Sequence, residues 1–310
     1  MKSVKLPNFL IVGAARAGTT VIWQYLRHHP HIFLPNGLKE SFFFSQIPNG
    51  QKPTEYSQVV VRDIEKYKLR YRDVGVAAKV VGEVCNSYLY YFEPSIENIL
   101  EFLGRDIRII IVLRDPISRA YSNYILHVRD GMESCCFQEA LDREDDRIRS
   151  SWWWGYHYKK VGLYSRQVEA YLSAFEDRVS VFYYDEFIER PKAFYRRILE
   201  DLGVDEVQPI RFIHSNVAGL PRNSFFKQIF GLGRLRLHLR QALPSWLKAW
   251  SRFHFEKIGL VKPPPMAMNS RELLREFFAS DLRKVSKLLD SYQPSTKQPE
   301  WLAGNSLTCT

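Results

Sequence analysis

Residues Phe9 to Phe44 read FLIVGAARAGTTVIWQYLRHHPHIFLPNGLKESFFF. An apolar run from Phe9 to Val12 breaks at Gly13 into a Gly/Ala-rich loop, and Gly18-Thr19-Thr20 then opens an amphipathic segment through His29. That is the strand, loop and helix order of a phosphate-binding loop. Successive backbone N–H groups in such a loop face one concavity, and the helix N-terminus adds roughly half a positive charge. A terminal phosphate or sulfate is therefore stabilised there without many side chains.

The spacing approaches the nucleoside-triphosphate pattern G-x-x-x-x-G-K-[ST], since Gly13 and Gly18 stand five apart. Thr19 occupies the lysine position, however, and the basic residue comes earlier, at Arg16. In phosphoryl transfer the lysine after the second glycine reaches the distal phosphates while Mg²⁺ shares the charge. Moving it changes which group is held. After the helix, Pro35-Asn36-Gly37 predicts a turn, and Lys39-Glu40 followed by Phe42-Phe43-Phe44 places a carboxylate near the anion loop in a partly buried setting.

Further along, Val76 to Val84 is predicted to be a strand that leads into Cys85-Asn86-Ser87-Tyr88. Arg108 to Leu113 (RIIIVL) is the continuous β-branched run of a parallel strand buried on both faces. It exits at Arg114-Asp115-Pro116, with Pro116 suited to the first turn of a helix over Ile117 to Val128. Arg114 then sits at a strand's carboxyl end, where open α/β sheets bind ligands. Phe137 to Arg149 is predicted as one helix, Gly162 to Phe175 as another, and Val179 to Tyr184 as a strand, with a closing helix over Arg271 to Leu289. The cluster Ser151-Trp152-Trp153-Trp154-Gly155-Tyr156-His157-Tyr158 is a candidate acceptor surface, with at least one tryptophan expected in the core. Two roles stand open for Glu83: orienting Arg16 or a substrate amine, or closing a strand-end salt bridge.

At 310 residues and 45% hydrophobic content the chain can bury one large α/β core. No run reaches the length of a membrane-spanning helix, and no signal-peptide pattern is present, so a cytoplasmic protein is expected. The cysteines Cys85, Cys135, Cys136 and Cys309 lack metal-ligand spacing and are expected to be reduced thiols. The net charge is +10, and Arg211 to Lys262 carries ten Lys/Arg against the single acid Glu256. Three readings of this basic, apolar stretch stay open: a lid over an anionic ligand, a peripheral membrane contact through 222–260, or a surface for an acidic partner.

Arg16-Ala17-Gly18-Thr19-Thr20 and Lys39-Glu40-Ser41-Phe42-Phe43-Phe44 resemble the donor loop [KR]-x-G-[TS]-[TS] and the Lys-Glu-x-x-[FY]-F segment of sulfotransferases that use PAPS (3′-phosphoadenosine 5′-phosphosulfate). Leu113 to Tyr124 is similar to that family's 3′-phosphate motif L-R-[DN]-P-x-x-R-A-x-S-x-Y, and Gly82 to Tyr88 to its G-E-x-[ST]-P-x-Y turn without the proline. The resemblance implies a three-layer α/β fold of the P-loop-kinase type, a central mainly parallel sheet flanked by helices, in one domain over 1–310. A basic helical lid is implied near 216–262 and a closing helix and tail over 266–310.

It further implies sulfuryl transfer to a hydroxyl or amine of a small-molecule acceptor with release of PAP, without a metal. Arg16, Ala17, Gly18, Thr19, Thr20, Arg114, Ser122 and Arg222 would hold the donor. Glu40 would be the base beside Arg16, with His157 as the alternative base. The two-cysteine signature of heparan-type enzymes is absent, which favours a small acceptor over a Golgi polysaccharide. The competing readings are an ATP-dependent P-loop kinase and a basic membrane- or nucleic-acid-binding module. A nucleic-acid partner is not expected, and the sequence leaves the oligomeric state open.

Overall fold

The computed structural model describes residues 5–52, 60–207, 219–223 and 259–303. The sheet grows from the first apolar run. β1 (Phe9–Gly13) is flanked by β3 (Val80–Val84) and β4 (Arg108–Leu113); β2 (Ile32–Phe33) lies outside β3 and β5 (Val179–Tyr183) outside β4. The order β2-β3-β1-β4-β5 is parallel at every pairing. Phe9 to Val12 and Ile109 to Leu113 are buried almost completely, as a parallel sheet covered on both faces requires. At roughly 1.5–3 kcal/mol per large aliphatic side chain, these two strands anchor the core. Phe9 also fixes the residue opposite it. A Cβ on Gly82 would lie 2.1 Å from the Phe9 ring, so the ring occupies the space that a side chain would take.

The order places a topological switch between β1 and its two neighbours, since the chain leaves β1 toward β3 and returns to the other side as β4. The crevice at the carboxyl ends of such strands is where α/β sheets hold ligands. Into it feed α1 (Thr19–Leu26) and α5 (Pro116–Arg129), together with the short α3 (Ser87–Tyr90). Helix α5 begins as its sequence indicates: Pro116 stands in the first turn, and the Asp115 carboxylate accepts from Ile117 N at 3.2 Å and Ser118 N at 3.0 Å.

Around this centre lie α2 (Ile64–Leu69), α4 (Phe92–Leu103), α6 (Phe137–Asp142), α7 (Glu144–Arg149), α8 (Tyr164–Phe175), α9 (Tyr184–Glu189), α10 (Pro191–Asp201) and α11 (Met268–Tyr292). Helix α8 has no side-chain cap of its own. Asp281 of α11 supplies one from a distance, accepting from Tyr164 N at 2.7 Å and Ser165 N at 3.2 Å. The closing helix thereby locks the scaffold.

Of the boundaries that differ from those read in the sequence, three have a visible structural cause. Val76 to Lys79 stay outside the ladder, with Val76 exposed; pairing begins where Val80 joins β2. The segment from Phe137 to Arg149 is two helices because the Glu144 side chain turns inward, where it is fully buried and accepts from Lys159 N at 2.6 Å and Lys160 N at 2.8 Å. Tyr184 starts α9 instead of ending β5. Most of the basic stretch 216–262 lies outside the described residues, and so does Cys309. Its two ends pair as β6 (Leu220–Pro221) and β7 (Leu260–Val261). Among the described residues, no helix is long and apolar enough to cross a membrane.

Candidate active site

A cavity of about 760 Å³ opens at the carboxyl ends of β1 and β4, and its wall takes in Arg16, Gly18, Thr19 and Thr20 from the first loop and Arg114 and Ser122 from α5 and the turn before it. Gly18 has φ +79°, and Arg16 has φ +67°. Left-handed backbone suits glycine but costs an arginine about 1–3 kcal/mol unless its surroundings hold it there. Arg114 does so: its guanidinium donates to the Arg16 carbonyl at 2.7 Å. A Cβ on Gly18 would lie 3.1 Å from the Tyr184 ring, a tight approach, but the left-handed backbone is what makes glycine the suited residue here.

The Arg16 guanidinium donates through Nε and Nη2 to Ser122 Oγ, at 3.2 and 3.1 Å. Burial, with Arg114 and Arg129 nearby, lowers its pKa to about 10. The Arg114 guanidinium stacks over the Tyr184 ring at 4.5 Å. Among the described residues neither guanidinium forms a salt bridge. Two half-buried cations side by side, paired to a hydroxyl, a carbonyl and a ring, are a donor set that suits an anion. Ala17 is buried and contributes no side chain to the wall.

Glu40 reaches the same cavity. Its Oε1 accepts from Lys39 Nζ at 2.9 Å and from Asn86 Nδ2 at 2.9 Å. Asn86 Oδ1 in turn accepts from the Thr19 hydroxyl at 2.8 Å, and Lys39 Nζ donates to Thr19 Oγ1 at 3.2 Å. The carboxylate is therefore tied to the anion loop itself. Glu83 holds the segment from below. It is buried, and it accepts from Ser41 N at 3.1 Å, Tyr67 OH at 2.9 Å and Tyr88 OH at 3.0 Å, with Arg70 at 4.0 Å. Of its two open roles, the strand-end ion pair is the one observed, with Arg70, and the hydrogen bond to Ser41 N adds an anchor for the Glu40 loop.

An aromatic wall completes the cavity through Phe42, Trp153 and Trp154, with Met132 and His127 beside them. Trp153 and Trp154 are both buried, and Phe42 packs edge-on against Trp153. Burial pushes the His127 pKa down to about 3, so the imidazole is neutral, and its Nδ1 meets Tyr158 OH at 3.0 Å. His157 is placed differently from its candidacy as a base. It is buried outside the cavity wall, its Nδ1 lies 2.7 Å from Tyr90 OH, and burial lowers its pKa to about 4. Arg222 also stays away from the cavity. Its side chain is exposed, and its N–H bonds the Gly259 carbonyl at 2.9 Å next to the β6–β7 pair. The sequence reading missed Asn86, Lys39 and Tyr184 as site residues.

A parallel α/β sheet whose first loop and fourth strand converge on one cavity is a fold of the P-loop-like class. More narrowly, the sequence profile of the sulfotransferase family matches residues 7–209, and the chain belongs to that family. A crystal structure of a sulfotransferase from Alicyclobacillus acidocaldarius superposes with a TM-score of 0.71 at 27% identity, covering 96% of this chain and 99% of that one. Heparan sulfate glucosamine 3-O-sulfotransferase 3A1 of Mus musculus is 24% identical over 208 residues, or 66% of this chain and 48% of that protein. The membrane-associated sulfotransferase kil1 of Dictyostelium discoideum is 28% identical over 123 residues, 40% of this chain and 23% of that protein. The chain thus spans at most about half the length of these curated relatives.

Proposed function

We propose that this chain transfers a sulfuryl group from PAPS to a hydroxyl or amine of a small-molecule acceptor. The observation that carries this reading is one cavity shared by two guanidinium groups, Arg16 and Arg114, which have no carboxylate partner among the described residues, and a carboxylate, Glu40, beside an aromatic wall. The donor set suits PAPS, which when bound supplies the sulfuryl group and departs as PAP. Arg114 and Ser122 fit its 3′-phosphate, by a guanidinium fork and a hydroxyl donor. Arg16 and the N–H groups of the Gly18 loop face the sulfuryl end.

Reaction needs little beyond positioning and charge stabilisation. Glu40 accepts the proton of the acceptor hydroxyl while that oxygen bonds to sulfur. Arg16 takes up the charge left on the phosphate oxygen as its bond to sulfur breaks. Lys39 keeps the carboxylate paired until then. The acceptor lies against Phe42, Trp153 and Trp154, faces that suit an apolar or planar molecule. A second acceptor class, a sugar hydroxyl, is supported by the names of the 24%-identical relatives and by the same tryptophan faces.

Thermal shift tests the donor assignment. PAP without metal is expected to raise Tm by several degrees at a hundred-fold excess over Kd, since such occupancy stabilises by about 2.7 kcal/mol. Stabilisation by ATP with Mg²⁺ alone would show the cavity to be a kinase site instead.

A further inference from the structure

We infer that Asn86 is a positioning residue that aims the Glu40 carboxylate and couples it to the donor loop. This rests on Glu40 being the base of the proposed reaction. Four polar groups from three separate segments close a ring: Lys39 Nζ, Thr19 Oγ1, the Asn86 amide and Glu40 Oε1, with links of 3.2, 2.8, 2.9 and 2.9 Å.

Donor and acceptor chemistry fixes the sense of every link. A carboxylate only accepts, so Asn86 must present its NH₂ to Glu40 and its carbonyl to Thr19. The Thr19 hydroxyl must then donate to Asn86, which leaves its lone pair for the Lys39 ammonium. The polarity runs in one direction from Lys39 through Thr19 and Asn86 to Glu40. Both fixed partners of the carboxylate bind Oε1. Among the described residues Oε2 has no partner, and it is the oxygen left to take a proton.

Where Asn86 stands in the chain argues against an ordinary structural role. It occupies the N-cap position of α3, where an asparagine side chain usually bonds its own helix. Here it makes no cap hydrogen bond. The amide is turned away from α3 and spent on Thr19 and Glu40. The neighbouring residue belongs to a different network, since Ser87 Oγ bonds Ser45 Oγ at 2.9 Å. Thr19, moreover, is a residue of the anion loop and is 2% exposed. Any shift of that loop on taking up the donor is passed by two short bonds to the base. Asn86 thus links the donor half of the cavity to the acceptor half.

The test compares wild type with Asn86→Ala and Asn86→Asp in the full chain, by steady-state kinetics on an acceptor that wild type sulfates and by crystal structures with PAP. In Asn86→Ala, kcat is expected to fall about 10- to 100-fold, the scale of a misplaced catalytic group. KM for PAPS should stay within about threefold, and Tm should fall by a few degrees, because Thr19 and Glu40 each lose a hydrogen-bond partner. Asn86→Asp keeps the acceptor for Thr19 but faces Glu40 with a like charge, so its kcat should fall at least as far. In the Asn86→Ala crystal the Glu40 carboxylate should leave its wild-type position. A kcat within twofold of wild type, or an unmoved Glu40 carboxylate, overturns the inference. Should wild type sulfate no acceptor at all, the proposed function fails on its own, and the crystallographic comparison still decides whether Asn86 sets Glu40.

Discussion

Arg16 and Ser122 are 106 residues apart in the chain, yet the guanidinium of one makes two hydrogen bonds to the hydroxyl of the other, at 3.2 and 3.1 Å. The contact exists because β1 and β4 are neighbours in the sheet, so the loop leaving one strand and the helix following the other open onto the same cavity. With Arg114 bound to the Arg16 carbonyl, three side chains from two distant segments form one hydrogen-bonded cationic unit on the cavity wall.

That unit should respond unequally to substitution. Arg114→Ala removes a guanidinium that the proposed reading puts on the 3′-phosphate and that also donates to the carbonyl of the left-handed Arg16. PAP affinity is expected to fall about 10- to 100-fold or more, on a scale of about 1.5–3 kcal/mol for a charge-assisted hydrogen bond. Ser122→Ala removes a neutral donor and should cost about 3- to 10-fold. Calorimetric titration with PAP checks both, and equal losses would show that Arg114 contributes no more than a hydroxyl.

Glu83 lies behind the site and is expected to act through the segment that carries Glu40. Glu83→Gln replaces one acceptor oxygen with an NH₂ facing Ser41 N, Tyr67 OH or Tyr88 OH, and leaves Arg70 without an anion. Loss of one partner from so buried a cluster is worth about 2–4 kcal/mol. A fall of several degrees in Tm together with a reduced kcat is the expected result. A drop in kcat with unchanged Tm would place Glu83 in the chemistry itself.

His157 should make stability depend on pH. Burial lowers its pKa to about 4, against an unperturbed value of about 6.5. The folded state therefore keeps it neutral while the unfolded chain takes up the proton. Its contribution is present above about pH 6.5 and is lost as pH falls toward 4, at up to roughly 1 kcal/mol per pH unit. Urea unfolding of wild type and His157→Gln at pH 7 and pH 5 reads this directly. The variant should lose less stability between the two, and parallel losses would remove His157 from the account.

The strand, loop and helix at Phe9 to Leu26 and the strand and helix at Arg108 to Arg129 were legible because each is local: an apolar run, a glycine or proline, then a helical period. So was the meeting of Arg16, Arg114 and Ser122, since the resembling motifs carry those residues. The ring through Thr19, Lys39, Asn86 and Glu40 was not legible, for it depends on β3 lying beside β1 and no spacing encodes that. One signal did stand in the sequence: asparagine occupies position 86, where the resembling turn has proline. Arg222 shows the converse. A match of residue types put it near the phosphates, whereas its N–H bonds the Gly259 carbonyl next to the β6–β7 pair and its side chain is exposed. The break between α6 and α7 escaped helical periodicity because it follows from the inward turn of one carboxylate, Glu144, toward two distant backbone N–H groups.

The central claim is that the cationic unit and Glu40 together transfer a sulfuryl group. Incubation of wild type and Glu40→Gln with isotope-labelled PAPS and a panel of phenols, aliphatic alcohols, amines and glucosamine glycosides, followed by mass spectrometry, measures it most directly. Labelled sulfate is expected on at least one acceptor with wild type. With Glu40→Gln no product is expected, while PAP affinity stays within about threefold, the glutamine leaving the donor contacts in place. Full transfer by Glu40→Gln, or none by wild type on any acceptor with PAP bound, would contradict the account.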